Sequence, residues 1–170
     1  DDSGNVIDSG PAPSDQSSSK PGGLPPGVFD DGTEGAVEAA EFGPTPDSVL
    51  AVGKRALEGN RFDRASRAFK AHLKAWPKDP RGGEVRYHLG QVLFQKKDYY
   101  NAANLFLDTH NTYPDAPTGA DNLLSLGLSL AGLNQREVAC ATYAEVLKQY
   151  PKDQKRLKAR VTAEQASARC

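Results

Sequence analysis

Apolar residues between positions 49 and 151 recur at helical rather than strand spacing. In the middle stretch Leu89, Val92 and Leu93 share one face, and Tyr99, Ala102, Ala103 and Phe106 share another. The polar run Gln95-Lys96-Lys97-Asp98 separates the two faces. This is a helix, a tight turn and a second helix. The same pattern is written three times with a period of 37 residues, from Val49 to Pro77, Arg86 to Pro114 and Leu123 to Pro151. Gly53, Gly90 and Gly127 fall in register, as do Ala65, Ala102 and Ala139, the aromatics Phe69, Phe106 and Tyr143, and the closing pairs Trp76-Pro77, Tyr113-Pro114 and Tyr150-Pro151. Self-similarity at a fixed spacing marks stacked repeats, in which a unit buries its apolar face only against its neighbours.

The residues in register have physical roles. A glycine inside the first helix lets a second helix approach closely, at about 1 kcal/mol of helix propensity. The recurrent alanine does the same from the other side, so Gly90 and Ala102 are expected to face each other. The closing proline stops the second helix. The pattern predicts helices over Asp47–Glu58, Phe62–Ala75, Gly82–Lys96, Tyr99–Thr112, Thr118–Ala131 and Arg136–Gln149. A polar seventh, Gln154–Ala168, has Leu157, Ala159 and Val161 as its apolar anchors and Lys155, Arg156, Lys158 and Arg160 turned outward. A polar end helix of this kind caps a solenoid. The expected units are residues 47–80, 81–117 and 118–153, followed by a capping helix over 154–170.

Composition changes the picture for the first 46 residues, which hold 21 Gly, Pro or Ser, nine acids and one base, Lys20. Such a segment has little apolar surface to offset its ordering entropy, and the expectation is a disordered acidic linker with only a weak helical signal at Glu34–Glu41. Residues 47–170 carry 20 bases and 13 acids. Two readings of the asymmetry stand: a solvated tail, or an acidic arm folding back on a basic body. The chain has no Met and opens without a charged-then-apolar leader, so we expect a processed protein or a fragment that begins inside a linker.

Chemistry is scarce. His72, His88 and His110 are not spaced to share a metal with each other, with Cys or with an acid. No nucleophile elbow, P-loop or dinucleotide fingerprint occurs. The lysines and arginines are spread over both helices of each unit without interleaved aromatics, which argues against nucleic acid. The expectation is therefore no catalytic residue, no metal, no cofactor and no nucleic acid. No run is long and apolar enough to span a bilayer, so direct membrane insertion is not expected either.

A small residue at the eighth place of each unit, alanine at the twentieth, an aromatic at the twenty-fourth and proline at the thirty-second resemble the tetratricopeptide repeat. The common period of that repeat is 34, and here three residues are added between the closing proline and the next helix. The resemblance implies an all-α, right-handed solenoid of three helix-turn-helix repeats plus the capping helix. In that fold the first helices line a concave groove. Mapped on this chain, the groove positions are Leu50, Lys54 and Leu57, then Tyr87, Gln91 and Phe94, then Leu124, Leu128 and Ala131. Apolar groups rimmed by polar ones mark a partner site. The alternatives are that the linker closes this groove or that the apolar members belong to inter-repeat packing.

The string LLSLGLSLAGLNQREVACATYAEVLKQYP, the string RYHLGQVLFQKKDYYNAANLFLDTHNTYPDAP and the 37-residue spacing are similar to the YbgF/CpoB family of periplasmic Tol–Pal accessory proteins, the cell-division coordinators, over residues 47–170. That resemblance implies a non-enzymatic scaffold in the periplasm of a Gram-negative bacterium. It implies TolA as a partner, a bifunctional penicillin-binding protein as a second one, and coupling of outer-membrane constriction to septal peptidoglycan synthesis. Family members carry an N-terminal coiled coil that trimerises them; without it, this chain alone is expected to be a monomer. A generic tetratricopeptide adaptor recognising a peptide segment of another envelope protein is the second reading.

Cys140 and Cys170 are the only cysteines. A capping helix running back along the last repeat helix rises about 21 Å over 14 steps, enough to bring its tail to the level of Cys140. The expected disulfide would clip the cap and persist in an oxidising periplasm. The alternative is a buried helical cysteine and a free terminal thiol.

Overall fold

The computed structural model describes residues 33–170. They form eight α-helices: α1 (Thr33–Ala40), α2 (Pro46–Glu58), α3 (Phe62–Ala75), α4 (Gly82–Gln95), α5 (Tyr99–Thr112), α6 (Gly119–Gly132), α7 (Arg136–Gln149) and α8 (Gln154–Ser167), with no strand among the described residues. The pairs α2–α3, α4–α5 and α6–α7 are the three helical hairpins. Each second helix also packs on the first helix of the next unit, α3 on α4 and α5 on α6, and α8 packs on α7. The result is an all-α helical-repeat solenoid.

Every first helix ends the same way. Asn60, Lys97 and Asn134, 37 residues apart, have φ of 55°, 61° and 61°. Their amides bond back to Leu57, Phe94 and Ala131, and the amides that follow, of Arg61, Asp98 and Gln135, bond to Ala56, Leu93 and Leu130 at 2.8–3.0 Å. This pair of bonds closes a helix with a left-handed residue, a place that favours Gly and then Asn. Two of the three units use Asn; the middle one carries the strain of a lysine. Lys97→Gly is expected to raise stability by about 0.5–1 kcal/mol, since a side chain in the left-handed region costs about 1–2 kcal/mol and Gly returns part of that as chain entropy. A denaturant midpoint that stays or falls would contradict this account of the turn.

The glycines in register sit under aromatic rings. A Cβ built on Gly53, Gly90 or Gly127 would fall 2.4, 2.4 or 2.5 Å from the ring of Phe69, Phe106 or Tyr143. Gly90 therefore faces Phe106, not Ala102 as expected. Helical side chains lean toward the N-terminus, so the Phe106 ring covers the turn that holds Ala102. The three aromatics are at most 1% exposed and anchor the stack.

Two expectations change at the ends. Residues 33–40 were expected to be part of the linker, with only a weak helical signal at Glu34–Glu41; they form α1, which packs against α3. Ala39 and Phe42 join Val49, Ala68 and Ala71 in a buried cluster, while Glu38 and Glu41 pair with Lys74 (3.7 Å) and Arg67 (3.3 Å). The short run Gly35-Ala36-Val37-Glu38-Ala39-Ala40 was outweighed by the Gly, Pro and Ser around it. The order here comes from tertiary packing, not local propensity. With α1 the described helices number eight where seven were expected. The rest of the expected linker, residues 1–32, lies outside the described residues. At the other end Leu157 and Val161 are buried in the core shared with α6 and α7, but Ala159, expected as a third anchor, is exposed. Only residues three to four apart share a helix face, and Ala159 lies two from each anchor.

Candidate functional site

The expected groove positions divide into two groups. Leu50, Tyr87 and Leu124 are 5%, 8% and 0% exposed and belong to the core. Leu50 packs with Val85 and Leu89 of the next unit, Tyr87 clusters with Leu123 and Leu124 of the next unit besides lying 6.2 Å ring to ring from Phe106 of its own, and Leu124 clusters with Leu157 and Val161 of the cap. They hold successive units together and cannot be presented to a partner as proposed from the pattern. Phe94, half-buried, is occupied by the Tyr99 ring at 5.3 Å. Leu128 and Ala131 are half-buried against the last core cluster.

Lys54, Leu57 and Gln91 are brought together. With Glu58, Asn60, His88 and Gln95 they line an open cleft of about 360 Å³ between α2 and α4. A second hollow of about 470 Å³ along α2 adds Asp47, Ala51, Arg55, Arg81 and Glu84, with Leu50 at its floor. The surface is polar where an apolar patch was expected, because the apolar members of the pattern are used between repeats.

A chain of polar contacts joins α2 to α4 across this cleft, from Lys54 to Tyr87. Lys54 Nζ donates to Glu84 Oε1 at 3.0 Å. His88 Nε2 lies 3.6 Å from the same oxygen, and its Nδ1 lies 2.9 Å from Gln91 Oε1. Gln91 Nε2 donates to Tyr87 Oη at 2.8 Å. On the far side Arg156 of α8 forms a two-point pair with Asp121 of α6 at 2.8–2.9 Å. Burial raises the Glu84 carboxyl, but the Lys54 bond and the Lys54 and His88 charges outweigh it, and the net direction is down. The Glu84 site therefore stays anionic at neutral pH.

Sequence reasoning missed three acids that pair between neighbouring elements of the stack. Asp47, Glu84 and Asp121 stand 37 residues apart at the start of the three first helices. Asp47 pairs with Arg81, Glu84 with Lys54 and Asp121 with Arg156. The signal is present in the same register as the glycines, but three single acids without a partner acid nearby carry no catalytic pattern. Charge pairs of this exposure contribute up to about 1 kcal/mol each, so their main effect is to fix register between units.

Two chain segments match family models for the tetratricopeptide repeat, residues 50–117 and residues 121–153, which together take in all three hairpins and more than half of the chain. The chain is a tetratricopeptide-repeat protein. No curated protein matches it closely enough to transfer a more specific identity. Tetratricopeptide repeats are protein–protein interaction modules and generally non-catalytic scaffolds. Among the described residues no group of three or more His, Cys, Asp and Glu is placed to hold a metal ion, and no helix is long and apolar enough to cross a membrane.

Two histidines make the tetratricopeptide stack sensitive to pH. His72 is fully buried with no hydrogen bond at either ring nitrogen, and its Nε2 lies 3.6 Å from the Asp79 carboxylate. Burial lowers the pKa of both His72 and His88, with nearby carboxylates opposing in each case. Above the ordinary histidine value of about 6.5 both states are neutral and stability is complete. Below it the unfolded chain protonates first, so stability falls until the folded histidines also titrate, by up to about 1.4 kcal/mol per pH unit for each histidine. Thermal melts should be flat from pH 7.5 to 6.5 and decline below, with a shallower slope for His72→Gln. A melting temperature that rises below pH 6.5 would contradict the assignment.

Proposed function

We propose that this chain is a non-catalytic scaffold of the Tol–Pal system that acts in the periplasm, binds TolA through the cleft between α2 and α4, and couples outer-membrane constriction to septal peptidoglycan synthesis. The observation that carries the binding part is the cleft itself. Asn60 in the turn after α2 and Gln91 and Gln95 on α4 line it with amide groups, Lys54 and Glu58 on α2 line it with charges, and Glu84 adds a carboxylate in the adjoining hollow. Amide side chains both donate and accept, which suits the backbone of an extended peptide segment. The resemblance of the second and third repeats and the 37-residue period support the Tol–Pal assignment, and the Cys140–Cys170 pair fits an oxidising compartment. A bifunctional penicillin-binding protein is the second partner in this reading.

The test is a pull-down from an envelope extract of a Gram-negative cell with the repeat domain as bait. Enrichment of TolA is expected. Capture of other envelope proteins without TolA would favour a generic adaptor that reads a peptide segment and would remove the Tol–Pal reading.

A further inference from the structure

We propose that the Cys140–Cys170 bond is a thiol–disulfide exchange site, attacked at Cys170 by a dithiol reductant, and that opening it releases the capping helix α8 from the third repeat. The two Cα atoms are 5.6 Å apart, joining α7 to the last residue of the chain. Cys170 is exposed and Cys140 half-buried, so an incoming thiolate reaches the Cys170 sulfur first. Arg169, at φ 58°, ends α8 with the same left-handed closure as the repeat helices, and the Cys170 amide bonds back to Gln165 at 2.8 Å. That turn aims the terminal residue at α7.

The surroundings suit exchange. A hollow of about 700 Å³ opens between the first turn of α7 and the last turn of α8, lined by Arg136, Glu137, Val138, Ser167, Ala168 and Arg169, the last of these next to Cys170 in the chain. Val138, 53% exposed, gives this hollow an apolar contact point for a docking protein.

The helix held by the bond has little else to hold it. Leu157 and Val161 are its only buried residues. Lys155, Lys158 and Arg160 make no ion pair among the described residues, so what remains is Ala168, partly buried against the same cluster, the Arg156–Asp121 pair and the Gln154 bond to the Leu147 carbonyl. Beneath α8 lie Leu124, Tyr143 and Val146, all at most 1% exposed. Release of the cap uncovers this apolar floor.

The steps balance. The reductant thiolate forms a bond to Cys170 Sγ, and Cys140 leaves as a thiolate that takes a proton. The second thiol of the reductant then attacks the mixed disulfide and frees Cys170. The protein disulfide gains two electrons and two protons, and the dithiol becomes a disulfide.

The test uses the oxidised chain and a dithiol oxidoreductase of the Cys-x-x-Cys type whose resolving cysteine is replaced by serine, so that the mixed disulfide is trapped. Peptide mass analysis is expected to place it on Cys170. After dithiothreitol, amide exchange in α8 should accelerate on the order of a hundredfold while α2–α5 keep their protection. A mixed disulfide on Cys140, no trapping at all, unchanged protection of α8, or equal loss of protection throughout the stack would each overturn the proposal. None of these outcomes depends on TolA binding.

Discussion

Gly90→Leu is expected to destabilise the fold by about 1–3 kcal/mol, although leucine is the better helix former by most of 1 kcal/mol. The reason is the Phe106 ring, 2.4 Å from where the Cβ would sit and itself fully buried. A ring enclosed on all sides has nowhere to move, so the new side chain must push α4 and α5 apart. Helical content should survive while the denaturant midpoint drops. A double-mutant cycle isolates the cause: Phe106→Leu alone should cost stability, yet in the Gly90→Leu background it should cost much less, because the two residues share one space. Additive effects would mean that the glycine is not there to seat the ring. The equivalent substitutions at Gly53 and Gly127 should behave alike, against Phe69 and Tyr143.

Cys170→Ser is expected to lower stability by roughly 3–4 kcal/mol, the loop-closure value for the 30-residue span between the two cysteines. The substitution isolates the bond. Cys170 is exposed, so serine loses no packing there, and Cys140 keeps its place on α7. The loss should register in urea melts of the non-reduced proteins and vanish when both are melted with reductant. A variant within about 1 kcal/mol of the parent would mean that the apolar anchors and polar bonds of α8 hold it without the disulfide, in which case the bond adds nothing to the cap.

These two effects rest on features of unequal legibility. The repeat register, the aromatic–proline closures and the ends of most helices follow from periodicity, because a glycine, an alanine and an aromatic each have one place in a helical hairpin. The partner of Gly90 was misread by one helical turn, since spacing along a sequence does not show which way a long side chain leans. The apolar groove was misread for a related reason. Leu50, Tyr87 and Leu124 point toward the neighbouring unit, and a single repeat considered alone cannot distinguish a face for a partner from a face for the next repeat. Helix α1 and the turn after it depend on α3: Glu38, Ala39, Glu41 and Phe42 matter only once Arg67, Lys74 and Ala71 stand opposite them. The acids Asp47, Glu84 and Asp121 were legible and overlooked.

The concave cleft is the centre of the functional account, and titration calorimetry of purified TolA against the repeat domain tests it most directly. Lys54→Ala with Gln95→Ala removes two lining side chains that stand clear of the core, Lys54 at 42% side-chain exposure and Gln95 exposed, so circular dichroism and melting should remain near the parent's. The account predicts that TolA binds the parent and that the double variant binds at least about tenfold more weakly, the scale of losing a contact at the heart of an interface. Equal affinity for parent and variant would take the partner off this cleft.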